Sequence, residues 1–364
     1  MNHPITMREK PWPIFRGDEL ATKLHSLAEK EEITYAFLPS PETNFLRYLP
    51  AGLTEEIASW SPDTCRLIDP ATSGEVPDII IATTHVSDRE PSWLWQIRKK
   101  YGHQPLIALW MWDNHFDHET NLKSAILGDL VFPSHHYDAT YLSSPVSLLS
   151  SHIPACSAQW TRREAEDLYS RFGDRARKHN LLVNYAKYDF AEKRNAFIDT
   201  IGENIAEAEM LLMDQADRSR YFSMNRADRF AEWSAYKTTI IIPMVNDLST
   251  RFFDALLAGM VPIVPESIPD VDNLLSRQQQ SALGIVRLPS YEIEDVKAAV
   301  SQAFSIYDER GINGARARHQ FVLNNHMTIN RISSILLTLH LHATNQIRIE
   351  FQDGPWGLGL YEVR

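Results

Sequence analysis

Residues 242–264 read IPMVNDLSTRFFDALLAGMVPIV, and this stretch predicts a complete strand–helix–strand unit. An apolar strand ends in a polar loop, where Asp247 or Ser249 is expected to cap the following helix by accepting a bond from a backbone N–H. Gly259 is expected to end that helix in the left-handed conformation, after which residues 261–264 return to the sheet as a strand. The stretch therefore indicates a parallel α/β fold.

The start of this helix also has the composition of an anion site. Backbone N–H groups at a helix N-terminus attract anions. Ser249, Thr250 and Arg251 add two hydroxyl groups and a guanidinium, whose planar fork of donors suits a phosphate. Asp254 lies one turn further along, within reach of a sugar hydroxyl. The alternative is a plain strand–helix–strand unit whose capping residues bind nothing.

Strand and helix patterns alternate on both sides of this stretch, which is typical of parallel α/β architecture. A charged segment at residues 162–180 separates two such series, so we predict two Rossmann-like domains at residues 1–165 and 166–330. A long helical pattern at residues 314–342 is expected to run back across the boundary, and residues 331–364 are expected to form a bridging helix and tail. The predicted strands are residues 33–38, 78–84, 106–111, 129–132, 181–185, 209–213, 238–243 and 261–264, and the predicted helices are 91–100, 120–127, 192–205, 227–236, 249–258 and 293–307.

The composition fits a globular protein with more than one domain. The chain has 364 residues, of which 44% are hydrophobic and 23% charged, and a chain of this length usually forms two domains. Its 36 Lys and Arg residues against 47 Asp and Glu give a net charge of -11. This balance excludes a protein that mainly grips nucleic-acid phosphates, although it allows a small basic pocket.

The expected setting is cytoplasmic. The two cysteines, Cys65 and Cys156, lie far apart in the sequence, and a protein of this size needs no disulfide framework. The N-terminus lacks the apolar core of a signal peptide, and no stretch reaches the length of a membrane span. Docking on the inner membrane surface stays compatible with this sequence.

The string from Ser249 to Val264 resembles the donor-site element of GT-B glycosyltransferases, including the exostosin-like and related retaining groups. Their pattern is S-x-R-x-x-E-A-L-x-x-G-x-x-P-V. The resemblance implies a GT-B fold: two Rossmann-like domains facing a cleft, with a C-terminal helix crossing back to the N-terminal domain. It also implies that Ser249, Thr250 and Arg251 contact the donor diphosphate and that Asp254 holds the ribose of the nucleotide.

Many retaining members carry two glutamates here, at the positions of Asn246 and Asp254. Aspartate keeps the carboxylate on a shorter arm, and asparagine removes the charge but keeps hydrogen-bonding character. Both residues are therefore expected to contact the sugar donor. The loop after the strand at 181–185 supplies Lys187 and Arg194, which are expected to neutralise the leaving diphosphate. A solvated basic helix start is the alternative for these two.

The N-terminal half offers a second cluster, WMWDNHFDH at residues 110–118. Aromatic rings beside carboxylates and imidazoles suit a carbohydrate acceptor, and Asp113 or His115 could act as the base on its hydroxyl. His85 follows the preceding strand, and the resemblance implies a contact to the donor sugar. The alternative is that the tryptophans belong to the core and the histidines to the surface. No metal site is expected, since nothing in this spacing sets a ligand geometry.

We therefore predict a glycosyltransferase that moves a sugar from a nucleotide sugar or another sugar phosphate to a glycan or glycolipid acceptor. No cofactor or nucleic-acid partner is expected. The resemblance further implies retention of configuration, metal independence and a place in bacterial surface polysaccharide synthesis, such as that of lipopolysaccharide. Two alternatives stay open: a catalytically silent GT-B module that binds a glycan or protein partner, and a nucleotide-sugar epimerase or hydrolase on the same fold.

Overall fold

The computed structural model describes residues 17–40, 49–50, 52–84, 92–136, 139–142, 147–213, 223–354 and 357–363. These residues form two compact units. The described parts of residues 1–47, 57–154 and 332–364 make up unit 1, and those of 48–56 and 155–331 make up unit 2. Among the described residues, no helix combines the length and the apolar composition that a bilayer span requires.

Unit 1 is built on a six-stranded parallel sheet. Its strands are β1 (Ile33–Leu38), β2 (Cys65–Leu67), β3 (Ile79–Thr84), β4 (Leu106–Met111), β5 (Leu130–Pro133) and β6 (Leu148–Leu149), in the spatial order β2-β1-β3-β4-β5-β6. Strands β3, β4 and β5 are buried along their whole length. Their apolar runs are explained by this burial, because both faces of the sheet are covered.

Four helices of the first half of the chain are α1 (Gly17–Ala28), α2 (Leu53–Trp60), α3 (Ser92–Tyr101) and α4 (His118–Ala125). Trp93 and Leu94 of α3 and Ala125 of α4 pack on one face of the sheet, against alternate residues of β3, β4 and β5. This period-two pattern is what a strand buried on both faces requires, because successive side chains point to opposite faces.

Unit 2 contains a five-stranded parallel sheet in the spatial order β11-β10-β9-β7-β8. Its strands are β7 (Lys178–Ala186), β8 (Ala208–Met213), β9 (Tyr236–Ile240), β10 (Val261–Pro265) and β11 (Val286–Leu288). Its helices are α5 (Arg162–Phe172), α6 (Glu192–Asn204), α7 (Arg226–Ser234), α8 (Thr250–Leu257), α9 (Asp270–Leu274), α10 (Arg277–Leu283) and α11 (Ile293–Asn325). Helix α11 contains a kink at Gly311, which has φ 53° and ψ −145°.

Both sheets share one strand order. Within each unit the first strand lies between the second and the third, so the direction of strand succession reverses between β1 and β3 and again between β7 and β9. In open α/β sheets a ligand binds in the crevice at the carboxyl ends of the strands, where this reversal occurs. The order therefore locates a candidate site in unit 2 at the ends of β7 and β9.

The C-terminal segment returns to unit 1. Helix α12 (Thr328–Ala343) is followed by an antiparallel hairpin of β12 (Arg348–Gly354) and β13 (Gly357–Val363). Residues from Ile332 onward cluster with unit 1, which confirms that the C-terminal helix crosses back. The long helical pattern at 314–342 is divided, because α11 ends at Asn325 and α12 begins at Thr328.

Candidate functional site

The loop between β9 and α8 reaches the carboxyl edge of the unit 2 sheet in a tight turn. Asn246 is exposed and has φ 57°, a left-handed conformation that asparagine tolerates better than most residues. The carboxylate of Asp247 accepts from the backbone N–H groups of Met244 and Val245. Asp247 therefore stabilises the loop upstream of the helix.

Neither residue that we expected to cap α8 does so. Ser249 occupies the N-cap position with extended backbone angles, φ −70° and ψ 160°, but its side chain makes no capping bond, and Asp247 is engaged within the loop. The Ser249 hydroxyl is buried and has no hydrogen-bond partner in the described part of the chain. Because the first N–H groups of a helix lack partners inside the helix, the start of α8 keeps donors for a ligand.

Arg251, in the first turn of α8, crosses to the neighbouring strand β7. Its Nη1 donates to the backbone oxygen of Asn184, and its guanidinium lies 4.5 Å from the centre of the Tyr185 ring. Arg194 of α6 approaches the same ring at 4.9 Å, and its Nη1 donates to the oxygen of Ala186 at 2.9 Å. The structure thus places Arg251 and Arg194, both predicted to bind the donor phosphates, against one aromatic side chain.

Tyr185 anchors this pair of arginines to the sheet. Its hydroxyl donates to the oxygen of Ile240 at 2.8 Å and accepts from the N–H of Ile242 at 2.9 Å. These bonds join the end of β7 to the end of β9, the two strands at the reversal point. Burial raises the pKa of Tyr185, so the ring stays neutral beneath the two cations.

The electrostatics of the edge favour an anion. Burial lowers the pKa of Arg194, and the nearby charge of Arg251 lowers it further. Two neighbouring cations, one of them partly desolvated, are stabilised when an anion binds between them. Asp247 lies near enough to offset part of this charge, and the N-terminus of α8 adds a positive dipole end.

Lys187 and Thr250 stand at the border of this site. Lys187 follows β7 directly, and its ammonium pairs with the carboxylate of Asp199 on α6. Thr250 is the first residue of α8 and is half-buried. Both lie on the chain segments that end at this edge, and their contacts to a donor stay predictions.

Asp254 has a different environment from the residues of the helix start. Its side chain is 2% exposed, and its carboxylate accepts from Ser157 Oγ at 2.6 Å and Gln159 Nε2 at 2.7 Å. Burial, partly offset by these bonds and by the nearby arginines, raises its pKa to about 6. These contacts tie α8 to the segment that begins unit 2, and the predicted bond to a ribose is untested.

In unit 1, Asp113 and His115 follow β4 at the carboxyl edge of the sheet. His115 is buried, and its ring lies 4.2 Å from that of His135. Asn114 joins the ends of two strands, since it donates to the oxygen of His135 and accepts from its N–H, both at 2.8 Å. Asp113 is half-buried, and its backbone oxygen accepts from Asn121 at 3.0 Å.

The two tryptophans of this cluster belong to the core. Trp110 is fully buried and donates from Nε1 to the oxygen of Ile153 at 2.8 Å, and Trp112 is 5% exposed. Stacking of these rings on an acceptor sugar is therefore not what the structure shows, because Trp110 in β4 and Trp112 directly after it are both buried. The predicted residue His85 lies outside the described residues.

Several residues with contacts to the predicted site residues could not be identified as functional from the sequence pattern. Tyr185 ends an apolar run and reads as one more buried strand residue, although its position at the end of a strand, two residues before Lys187, is a usable signal. Ser157 and Gln159 lie far from Asp254 in the sequence, and no pattern links them to it. His135 follows the predicted strand at 129–132, so its place at a strand end is visible in the sequence, but its contact with His115 depends on the pairing of β4 with β5.

The fold is that of GT-B glycosyltransferases. A sucrose-phosphate synthase from Thermosynechococcus elongatus has a TM-score of 0.52 at 12% identity, over 86% of this chain and 99% of that chain. The catalytic domain of starch synthase IV from Arabidopsis thaliana gives 0.45 at 13% identity, over 76% and 74%, and an α1,3-fucosyltransferase gives 0.42 at 10% identity, over 94% and 99%. No protein-family model and no curated protein sequence matches this chain.

Proposed function

We propose that this protein is a glycosyltransferase that takes a sugar from a nucleotide sugar, or another sugar phosphate, and transfers it to a glycan or glycolipid hydroxyl. One observation carries the proposal. Arg251 and Arg194 lie against Tyr185 at the reversal point of the unit 2 sheet, beside a helix start whose Ser249 hydroxyl is uncommitted. This set of donors suits the phosphates of a sugar donor, and the GT-B fold supports it.

The chemical task of these groups is to stabilise the leaving phosphate. As the bond between sugar and phosphate oxygen breaks, negative charge grows on that oxygen, and fixed donors aimed at it lower the barrier. A guanidinium has five N–H donors, of which Arg251 spends one on Asn184. The remaining donors of Arg251 and the N–H groups at the start of α8 are left for the donor phosphates, and Arg194 and Lys187, although each already has one partner, add positive charge at this edge.

The finer parts of the proposal rest on the resemblance of residues 249–264 alone. They are retention of configuration, independence of a metal ion, and a cytoplasmic role in surface polysaccharide synthesis. The first is checked by proton NMR of the anomer formed in the first minutes of reaction, and the second by activity in excess EDTA.

In unit 1, Asp113 and His115 are the proposed contacts to the acceptor, with His85 as a contact to the donor sugar.

The first experiment is a thermal-shift screen of wild type and Arg251→Ala against nucleoside diphosphates, sugar nucleotides and phosphoribosyl diphosphate. A ligand at a hundred times its Kd stabilises the folded state by about 2.7 kcal/mol, and Arg251→Ala is expected to remove most of that shift. Arg316→Ala is the matched control, because Arg316 is exposed and pairs with Asp174 at the surface. If no ligand stabilises either protein, the proposal fails.

A silent GT-B module is the second candidate, and the placement of Asp254 favours it. Of the two positions that carry glutamates in many retaining members, one is Asn246 and the other has its carboxylate bonded to Ser157 and Gln159. Such a module would bind a glycan but never release nucleoside diphosphate. Release that needs an acceptor supports transfer, whereas release or isomerisation without one indicates a hydrolase or an epimerase.

A further inference from the structure

Helices α3 and α4 lie side by side on one face of the unit 1 sheet. Trp93 and Leu94 of α3 and Ala125 of α4 belong to one core cluster beneath them. Arg98 of α3 is buried and joins the two helices, since its Nε donates to the oxygen of Leu127, just after α4, at 2.7 Å. The outward sides of both helices therefore form one continuous surface of unit 1.

Large apolar side chains project from this surface into solvent. Trp95 of α3 is 61% exposed, Leu122 of α4 is 39% exposed, and Ile126, directly after α4, is 50% exposed. Leu122 and Ile126 are four residues apart and therefore lie on the same side of their helix. Apolar side chains that are exposed together mark an interaction site, whereas single scattered ones need no explanation.

Lysines accompany these apolar side chains. Lys99 and Lys100 in the last turn of α3 are exposed, and neither forms an ion pair with any residue that the structure describes. Lys99 lies four residues after Trp95 and so on the same side of α3. Lys123 of α4 is exposed and pairs with Glu119 at 2.7 Å. The surface is therefore basic, although the whole chain has a net charge of -11.

We call this surface the α3–α4 face, and it consists of Trp95, Lys99, Lys100, Leu122, Lys123 and Ile126. Its composition suits the surface of an anionic bilayer. Tryptophan is enriched at the interface between membrane and water, and a helix that lies in this interface buries apolar side chains while its lysines meet the lipid headgroups. A protein partner fits less well, because lysine is depleted in protein–protein interfaces.

We propose that the α3–α4 face docks this protein on an anionic lipid bilayer. Trp95, Leu122 and Ile126 enter the headgroup region, and the lysines lie against the charges of the lipids. The docking is independent of sugar transfer, since neither donor nor acceptor takes part in it. Its consequence for the acceptor rests on the proposed function: a glycolipid in the same bilayer is favoured over a soluble glycan.

The test is co-sedimentation of the full chain with vesicles of phosphatidylcholine alone and of phosphatidylcholine with about one-third phosphatidylglycerol. Wild type is expected to bind the anionic vesicles about tenfold more tightly, or more. Lys99→Glu combined with Lys100→Glu is expected to remove this preference. Trp95→Ser keeps the charge and is expected to weaken binding to the anionic vesicles about tenfold, because its ring no longer leaves water.

Two control variants change the same residue types outside the α3–α4 face. Lys297→Glu combined with Arg316→Glu changes the net charge by the same amount, on exposed side chains of α11 in unit 2. Trp60→Ser removes an exposed tryptophan of α2. Both controls are expected to bind the anionic vesicles within about twofold of wild type, since charges beyond the screening length contribute little.

The proposal is overturned if wild type binds neither kind of vesicle, or if the controls weaken binding as much as the changes in the α3–α4 face do. It is also overturned if wild type sediments as a dimer without vesicles and Trp95→Ser dissociates that dimer, which would assign the face to a second copy of the chain. None of these outcomes affects the donor screen, so the proposed transfer reaction is judged separately.

Discussion

The hydroxyl and the ring of Tyr185 have separable roles at the carboxyl edge of unit 2. The hydroxyl bridges Ile240 and Ile242, and the ring carries Arg251 and Arg194. Tyr185→Phe is expected to lower the free energy of unfolding by about 1–3 kcal/mol, since a buried N–H and a carbonyl lose their partner. Donor affinity, measured by calorimetry, is expected to stay within about twofold.

Tyr185→Leu removes the ring as well. Cation–π contacts contribute about 0.5–2 kcal/mol each, so this variant is expected to weaken donor binding about tenfold or more. Comparing the two variants separates the roles, because both lose the hydroxyl. If Tyr185→Phe weakens the donor as much as Tyr185→Leu does, the ring has no special part in positioning the two arginines.

A second single residue, Asp254, is expected to make the free energy of unfolding depend on pH. Its folded pKa of about 6 lies above its ordinary value of 3.8, so the folded state holds a proton that the unfolded chain gives up more easily. The resulting stability is full below pH 4 and is lost as pH rises through 6. Asp254→Asn cannot ionise, and its unfolding free energy in urea is expected to change less than that of wild type between pH 4 and 7.

The control for this prediction is Asp199→Asn, which alters an exposed carboxylate of the same unit. It is expected to keep the slope of wild type over that pH range. An unchanged slope in Asp254→Asn would mean that the carboxylate is ionised throughout, with Ser157 and Gln159 stabilising it more than burial destabilises it.

At the scale of elements, helix α8 ends at a position that only glycine fits. Gly259 has φ 80°, and a Cβ built there would lie 2.9 Å from Nη2 of Arg177 and 3.0 Å from Cβ of Ala315. Gly259→Ala is expected to cost about 2–5 kcal/mol, from the left-handed backbone and from overpacking together. Gly74 has φ 70° with nothing within 4 Å, so Gly74→Ala isolates the backbone cost of about 1–2 kcal/mol. Urea denaturation measures both, and equal losses would contradict the packing argument.

The elements that the sequence predicted well are the ones whose pattern is local. Strand β1 at Ile33–Leu38 and strand β4 at Leu106–Met111 have the predicted bounds, because a proline marks one end of each run: Pro39 follows β1 and Pro105 precedes β4. The helix predicted at 227–236 is α7, Arg226–Ser234. It stops earlier since Tyr236 pairs with Lys178 and begins β9, and that pairing is not visible in the sequence.

The elements that were missed depend on contacts far along the chain. The hairpin of β12 and β13 has a sequence rich in glycine that lacks a clean alternation, and β6 has two residues. Glu362 of β13 bonds to Ser150 and Ser151, which directly follow β6. The same distinction between local and distant contacts holds for the candidate site. The start of α8 was predicted from one stretch of sequence, whereas the bonds of Asp254 to Ser157 and Gln159 join distant stretches and were not predicted.

At the scale of the whole molecule, the described residues form two compact units, and each unit is predicted to bind its own ligand, so each unit is expected to show its own unfolding transition. Burial alone would raise the pKa of Glu362, but the bonds from His342, Ser150 and Ser151 hold it below its ordinary value. Its contribution is therefore present at neutral pH and is lost as pH falls through that lowered pKa. Glu362→Gln keeps the shape of the side chain and removes this charge from unit 1.

Scanning calorimetry at pH 7 is expected to show two overlapping transitions. Glu362→Gln is expected to lower the one belonging to unit 1 by about 2–8 °C, the effect of losing about 1–2 kcal/mol. The ligand found in the donor screen should raise the other transition, which Arg251→Ala should prevent. Glu75→Gln is the control, since Glu75 is an exposed partner of Arg66 in unit 1 and such pairs contribute little. If Glu362→Gln and the donor ligand each move a single common transition, the two units unfold as one cooperative body, and a ligand in either unit then stabilises the whole chain.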